Sequence, residues 1–276
     1  MTQKTVLITG CSSGIGLDAA RGLHARGWRV IATCRATADV AARRAEGMDS
    51  FPLDISDPAS VAEGARQALA LTDGKIDALV NNAAFAVPGA VEDLPRDALR
   101  EIFETNLFGT HDLTRAVIPA MRAAGTGRIV NISSVLGLVG IRWRGAYVST
   151  KFALEGLSDV LRLEMEGTGI RVILIEPGPI TSKIRQNSIP HFERWIDWQN
   201  SARADQYRDS LLRRLYESQG PDRFELPADA VTRRLIHALE SRNPSRRYFV
   251  TTPTWFMGAA RRILPTRALD WLARQA

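Results

Sequence analysis

The feature that most restricts how this chain can fold is a rhythm. Short apolar, β-branched runs alternate with longer stretches of helical period. Thr5-Val6-Leu7-Ile8-Thr9, Val30-Ile31-Ala32-Thr33-Cys34, Ser50-Phe51-Pro52-Leu53, Asp77-Ala78-Leu79-Val80, Arg128-Ile129-Val130-Asn131-Ile132 and Arg171-Val172-Ile173-Leu174-Ile175 read as six strands. Tyr248-Phe249-Val250 reads as a seventh, and the third run is weak enough to suit a sheet edge. Amphipathic stretches lie near residues 15–26, 58–71, 97–123, 146–167 and 228–240. Strands without polar alternation are expected where helices cover both faces of a sheet. Strand, helix, strand at this spacing requires parallel pairing through right-handed crossovers. The expectation is an α/β fold with a doubly wound, mostly parallel seven-stranded sheet. Such sheets take ligands beyond the carboxyl ends of their strands.

The 276 residues suit one domain spanning 1–276, with two departures from the rhythm. Residues 183–227 are polar and aromatic, with Phe192, Trp195, Trp198, Tyr207, Tyr216 and Phe224, and read as a lid. Residues 254–276 mix Trp255, Phe256, Ile263, Leu269 and Trp271 with arginines and read as a helical tail, interrupted by Pro265. Two cysteines, Cys11 and Cys34, provide neither a disulfide framework nor a zinc spacing, and no metal is expected. Met1-Thr2-Gln3-Lys4 leads straight into a strand, and no apolar run reaches the ~18 residues of a membrane span. A cytoplasmic protein is expected. The net charge of +6 comes mostly from arginines. It suits a solvated surface, a phosphate-bearing cofactor or an anionic membrane face touched by 254–276. No nucleic-acid-binding pattern is present. His24, His111, His191 and His237 have no ligand spacing and read as structural; Met48, Met121, Met165 and Met257 read as packing residues.

After the first strand comes Thr9-Gly10-Cys11-Ser12-Ser13-Gly14-Ile15-Gly16. Glycines at this point let the backbone turn and approach a diphosphate, and the next helix directs its N-terminal amides at that charge. Strand before and helix after are the context of a Rossmann dinucleotide site. The second strand ends Cys34-Arg35. An acid near this point serves NAD, whereas an arginine pairs with the 2′-phosphate of NADP. Arg35, with Ser12 and Ser13, points to NADP(H). Asp54, before Ile55, suits either the adenine amino group or a helix cap shared with Ser56 and Asp57.

Tyr147 and Lys151 stand four residues apart, on one helix face. A phenol of pKa ~10 is a poor base, and an ammonium beside it is expected to lower that value. The pair forms a general acid–base for a carbinol oxygen, and Ser134, at the end of the fifth strand, orients that oxygen.

Together these motifs resemble the short-chain dehydrogenase/reductase family, in its shorter single-domain subtype, over roughly residues 4–182. Thr9–Gly16 is similar to the family's cofactor loop, and Asn81-Asn82-Ala83-Ala84 to its Asn-Asn-Ala-Gly motif, with Ala84 in place of glycine. The resemblance implies that Asn106 holds a relay water to Lys151, and that Lys151 also binds the nicotinamide ribose. Ser134, thirteen residues before Tyr147, takes the serine role, with Ser133 as runner-up. Asn82, Ala83, Pro177, Gly178 and Ile180 line the cofactor, Ile180 through its backbone. Thr181 or Ser182 meets the diphosphate, Ser182 holding the family's threonine position. The implied reaction is NADP(H)-dependent reduction of a carbonyl, or the reverse. The long lid with two tryptophans suggests a lipophilic aldehyde or ketone, as for 17β-hydroxysteroid, retinol and fatty-aldehyde reductases. Trp195 and Trp198 could equally pack the lid or a subunit interface. A 3-oxoacyl-thioester reductase and a dinucleotide-sensing binding protein are the rival readings. The helices near 97–123 and 146–167 pair subunits in relatives, so a homodimer or homotetramer is expected.

Overall fold

The computed structural model describes residues 3–217 and 220–274. Met1 and Thr2 of the N-terminal run, Ser218 and Gln219 of the expected lid, and Gln275 and Ala276 of the tail lie outside the described residues. Strands β1 (Thr5–Ile8), β2 (Arg29–Cys34), β3 (Asp49–Pro52), β4 (Ala78–Asn81), β5 (Gly127–Ile132), β6 (Ile170–Glu176) and β7 (Arg247–Phe249) form one sheet. Its order is β3-β2-β1-β4-β5-β6-β7, and every neighbouring pair is parallel. The weak third run is indeed an edge. Order reverses between β1 and β4, so their carboxyl ends open the crevice where such sheets bind ligands.

The period-2 geometry of strands explains the continuous apolar runs. Val6 and Ile8 face one layer, with Leu23 of α1 (Gly14–Ala25) and, among the C-terminal helices, Leu235. Leu7 faces the other, with Val61 of α3 (Pro58–Leu71) and Leu113, Val117 and Met121 further along. The rhythm missed α2 (Thr37–Ala45), a nine-residue polar helix that buries only Val40 and Arg43.

The stretch near 97–123 is not one regular helix. It is α4 (Arg96–Phe103), a π turn (Glu104–Phe108) and α5 (Gly109–Ala124). A Cβ on Gly109 would sit 1.6 Å from the Ile55 carbonyl oxygen, so this helix meets the loop after β3 backbone to backbone. The π turn places Asn106 inward, where it is 1 % exposed. Next comes α6 (Gly145–Glu164), which carries Tyr147 and Lys151.

The expected lid contains α7 (Ile184–Trp195), α8 (Ala204–Gln206), a π turn (Tyr207–Leu212) and α9 (Arg213–Tyr216). Its Phe192, Ile196, Tyr207 and Leu211 form a third apolar cluster with Phe85, Ile102 and Tyr147. Then come α10 (Asp229–Glu240), which carries Leu235, α11 (Thr252–Ile263) and α12 (Thr266–Ala273), the last two split at Leu264-Pro265. Arg261 holds α11 down by donating to the Leu138 carbonyl, 2.7 Å, and lying over the Phe152 ring. No described residue of α12 is buried. Among the described residues no helix is long and apolar enough to cross a membrane, and no His/Cys/Asp/Glu group is arranged for a metal.

Candidate active site

A cleft of about 860 Å³ lies over the carboxyl ends of β1 and β4, running from Arg35 to Tyr147. Its floor is the glycine loop. Gly10 has φ 73°, in the left-handed region, and a Cβ there would come 2.9 Å from the Ala83 Cα. Gly14, at φ 55°, faces Ser182 across the cleft mouth. Ser12, Ser13 and Ile15 line the cleft, and the Ser13 side chain makes no cap bond to α1. Gly16 differs from expectation: it lies behind the loop, where a Cβ would fall 2.2 Å from the Gly10 carbonyl oxygen. It sets how closely the helix packs on the turn.

Asn82 fastens this loop from β4. Its Nδ2 donates to the carbonyls of Thr9 (2.9 Å) and Gly10 (3.1 Å). In return the Thr9 hydroxyl accepts from the amides of Asn82 and Ala83, both at 3.0 Å. Thr9 is thus a positioning residue that the motif reading passed over. Ala84 in place of glycine introduces no left-handed strain; the positive-φ residues other than glycine among those described are Asp73, Trp143 and Phe224.

At the far end Arg35 is exposed and lines the cleft, with Asp39 beside it. Arg43 was invisible to periodicity: it is 5 % exposed, donates to the Cys11 carbonyl at 3.0 Å and pairs with Glu46. It places a second cation under the loop. Burial pushes the thiols of Cys11 and Cys34 up, which disfavours their thiolate forms. The two readings of Asp54 separate. Asp57 caps α3 through the Ala59 amide (3.0 Å), while Asp54 accepts from the amide and hydroxyl of Ser56 and, like Ile55, lines the cleft.

At the other end Ser134, Tyr147 and Lys151 meet. Ser134 begins a short turn, its hydroxyl accepting from the Leu136 amide at 3.1 Å, and it lines the cleft. Ser133 also borders the cleft, but it is 3 % exposed and faces the carboxyl of Glu155. Tyr147 is raised to about 12, first by burial; the Ser134 hydroxyl and the Arg144 charge oppose the shift. This corrects the expectation that Lys151 lowers it. The Lys151 ammonium sits 5.4 Å from the centre of the tyrosine ring and donates to the Ile132 carbonyl at 2.8 Å. Burial lowers its own pKa to about 8, with Glu155 pulling back. Asn106 does not touch Lys151. Its amide accepts from the Phe85 amide (3.1 Å) and donates to the Phe85 carbonyl (3.0 Å) and the Thr150 hydroxyl (3.1 Å).

The loop after β6 closes the cleft. The Pro177 carbonyl accepts from the Val135 amide at 2.7 Å, and a Cβ on Gly178 would collide with Thr251 at 2.1 Å. Pro179 and Thr181 bond to Leu226, in parallel-strand fashion, which turns the Ile180 backbone the opposite way. The Thr181 hydroxyl donates to Glu225 at 2.6 Å, whereas Ser182 abuts Gly14.

The lid tryptophans are absent from the cleft lining. Trp195 donates to Glu101 of α4 at 2.7 Å, and both rings pack on the third apolar cluster. Their role is the packing alternative. The lid side of the cleft is instead polar: Lys183, Arg185, Asn187, Arg214 and Asp222. His191, as expected, is structural, bonded to Glu101 at 2.9 Å and stacked on Phe85. Of the cleft arginines Arg35 was singled out from sequence, whereas Arg144, Arg185 and Arg214 were not; the usable signal was Arg144, three residues before Tyr147.

The chain is similar to known proteins in sequence and in fold. The short chain dehydrogenase family profile matches residues 4–192. The chain is 40 % identical over 269 residues to the uncharacterized oxidoreductase YbbO of Escherichia coli K12, covering 97 % of this chain and 93 % of that one. It is 40 % identical over 190 residues to retinol dehydrogenase 8 of Homo sapiens, covering 65 % and 60 %. A metagenomic short-chain oxidoreductase solved in complex with NADP superposes with a TM-score of 0.68 at 26 % identity, covering 90 % of this chain and 96 % of that one. With the parallel sheet, the glycine loop and the family profile in agreement, the chain belongs to the short-chain dehydrogenase family of oxidoreductases.

Proposed function

We propose that this oxidoreductase uses NADP(H) to interconvert a lipophilic aldehyde or ketone and its alcohol. The observation that carries the reading is the convergence of Tyr147, Ser134 and Lys151 at one end of a cleft whose other end is the glycine loop. The cradle suits a dinucleotide: left-handed glycines, an uncapped helix start and the unpartnered Ile180 backbone all face it. Gly10, Ser12, Ser13, Gly14, Ile15 and Ser182 would hold the diphosphate. Arg35, backed by Arg43, would hold the 2′-phosphate, and Asp54 and Ile55 the adenine. Ala83, Pro177, Gly178 and Ile180 would flank the nicotinamide half. Bound there, NADP(H) would supply the hydride for the carbonyl carbon, or take it up from the carbinol.

The chain's own residues move the proton. Ser134 orients the substrate oxygen, and Tyr147 donates to it. A phenol held near 12 is protonated at neutral pH, the state that reduction needs. Lys151, released from the Ile132 carbonyl, would bind the ribose and return a proton to Tyr147. The side chain of Asn106 is spent on Phe85 and Thr150, so a relay water falls to its backbone carbonyl. Phe85, Ala86, Val135, Leu136, Ile141 and Ile184 give the substrate end an apolar wall. The similarity to retinol dehydrogenase 8 supports that class.

The test is Tyr147→Phe assayed by NADPH consumption on a panel of aldehydes, ketones and retinoids. Turnover should drop by about 10²–10⁴-fold while NADPH still binds. A variant that keeps most of its rate overturns the mechanism, and a lower KM for NADH than NADPH overturns the cofactor assignment.

A further inference from the structure

The substrate end of the cleft carries more positive charge than proton and hydride transfer require. Arg144, Arg185, Arg214 and Lys183 line it against two carboxylates, Asp222 and Glu225. Asp222 is shared by Arg185 and Arg214, each at 3.0 Å. Glu225 is occupied by the Thr181 hydroxyl and the Asp222 amide. The Arg144 carbonyl accepts from the Val148 amide at 2.8 Å, but its guanidinium has no hydrogen-bond or ion-pair partner among the described residues. That guanidinium is held down to about 10, chiefly by burial, then by Arg214 and Arg185, with Asp222 and Tyr147 opposing. A cation confined beside two others, with no acceptor of its own, costs free energy in the absence of an anion.

The backbone is built to aim it. Trp143 takes a left-handed conformation, φ 65°, and its ring packs at a tilt against Tyr207, centroids 4.6 Å apart. The Trp143 carbonyl is fixed by the Gly89 amide at 3.0 Å. The chain leaves this locked turn at Arg144, which lines the cleft three residues before Tyr147. Arg144 is the residue before α6 and its charge acts on the Tyr147 phenol, so an anion on Arg144 lies near an oxygen on Tyr147. The glycine loop that suits a cofactor diphosphate is at the opposite end.

We propose that Arg144, flanked by Arg185 and Arg214, receives a carboxylate on the substrate, so that the lipophilic carbonyl compound is an oxo acid and its alcohol a hydroxy acid. The planar guanidinium fork matches a carboxylate in two parallel bonds. The apolar wall from Phe85 to Ile184 takes the alkyl chain. The assignment rests on the acid–base reading of Tyr147 but is tested apart from it.

The first arm is binding. Calorimetry with the NADP⁺-loaded protein compares decanoate with decanamide, in wild type and in Arg144→Met and Arg144→Lys. Decanoate should bind about tenfold to a hundredfold more tightly than the amide. Arg144→Met should erase that ratio and Arg144→Lys retain part of it. The second arm is turnover of 3-, 4- and 5-oxodecanoate against their methyl esters with NADPH. At least one acid should exceed its ester tenfold in kcat/KM, through KM, with the ratio near one in Arg144→Met. Equal binding of decanoate and decanamide overturns the carboxylate site. So does an Arg144→Met that loses NADPH affinity in step with decanoate, which would place Arg144 on the cofactor. Selective decanoate binding with no reduction of any acid or ester keeps the site and overturns the oxidoreductase reading of Tyr147.

Discussion

Tyr147 and Lys151 are buried side by side, and burial moves them in opposite directions. Desolvation disfavours whichever form is charged, so the phenol rises to about 12 and the ammonium falls to about 8. Reduction draws on the protonated form of both. The kcat/KM for reduction should therefore fall as pH rises through about 8, where folded Lys151 loses its proton. Lys151→Arg, which keeps its charge, should move that break upward, and a pH profile of both proteins checks it. The shift also has a sign for stability. The unfolded lysine keeps its proton to about 10.5, so the folded state binds fewer protons between 8 and 10.5 and gains stability across that window. Tyr147, Lys151 and Ser134 were legible through their spacing taken together with the glycine loop and the accompanying motifs. The spacing also carried the expectation that the ammonium lowers the phenol; burial outweighs it, and Lys151 is bonded to the Ile132 carbonyl. Arg144 was illegible for a different reason. In an arginine-rich chain one more arginine reads as solvated until the lid is seen closing over it.

Among the elements, β7 is an edge strand of three residues and needs an anchor. Arg247 supplies it, pairing with Glu155 and Asp159 of α6 and with Glu176 of β6, the last two at 2.7 and 2.6 Å. Glu176 is fully buried and is raised to about 8 by burial and by Glu155, against the pull of Arg247. Its folded value exceeds its unfolded one, so its contribution is fully present below about 4.5 and is lost as pH rises through about 8. Arg247→Met leaves these carboxylates uncompensated. It should cost about 3–5 kcal/mol in urea denaturation at pH 8 and less at pH 5. An equal loss at both values would show that the arginine acts by packing. The amphipathic stretches fell close to the helices α1, α3, α6 and α10. The π turn at Glu104–Phe108 did not show, because it answers to contacts that Gly109 and Asn106 make across the fold.

At the scale of the whole molecule, two stretches of the chain each expose several large apolar residues. α6 presents Leu157, Val160 and Leu163. The tail presents Trp255, Phe256, Ile263 and Trp271. The first is the surface on which we expect subunits to pair. A Val160→Glu, Leu163→Glu variant should sediment as a monomer where the parent sediments as a dimer or tetramer; a parent that is itself monomeric removes the idea. The sequence by itself determined the architecture, because a seven-strand rhythm with both strand faces apolar has few solutions besides a doubly wound parallel sheet. It also determined the motif residues, whose spacing is local. Only the tertiary structure decided what faces the substrate. It turned the lid tryptophans onto the body and brought Arg144, Arg185 and Arg214 from separate segments to one end of the cleft. The physical reason is range: periodicity and short motifs report contacts within one element, whereas the charge and shape of a cleft arise where distant segments meet.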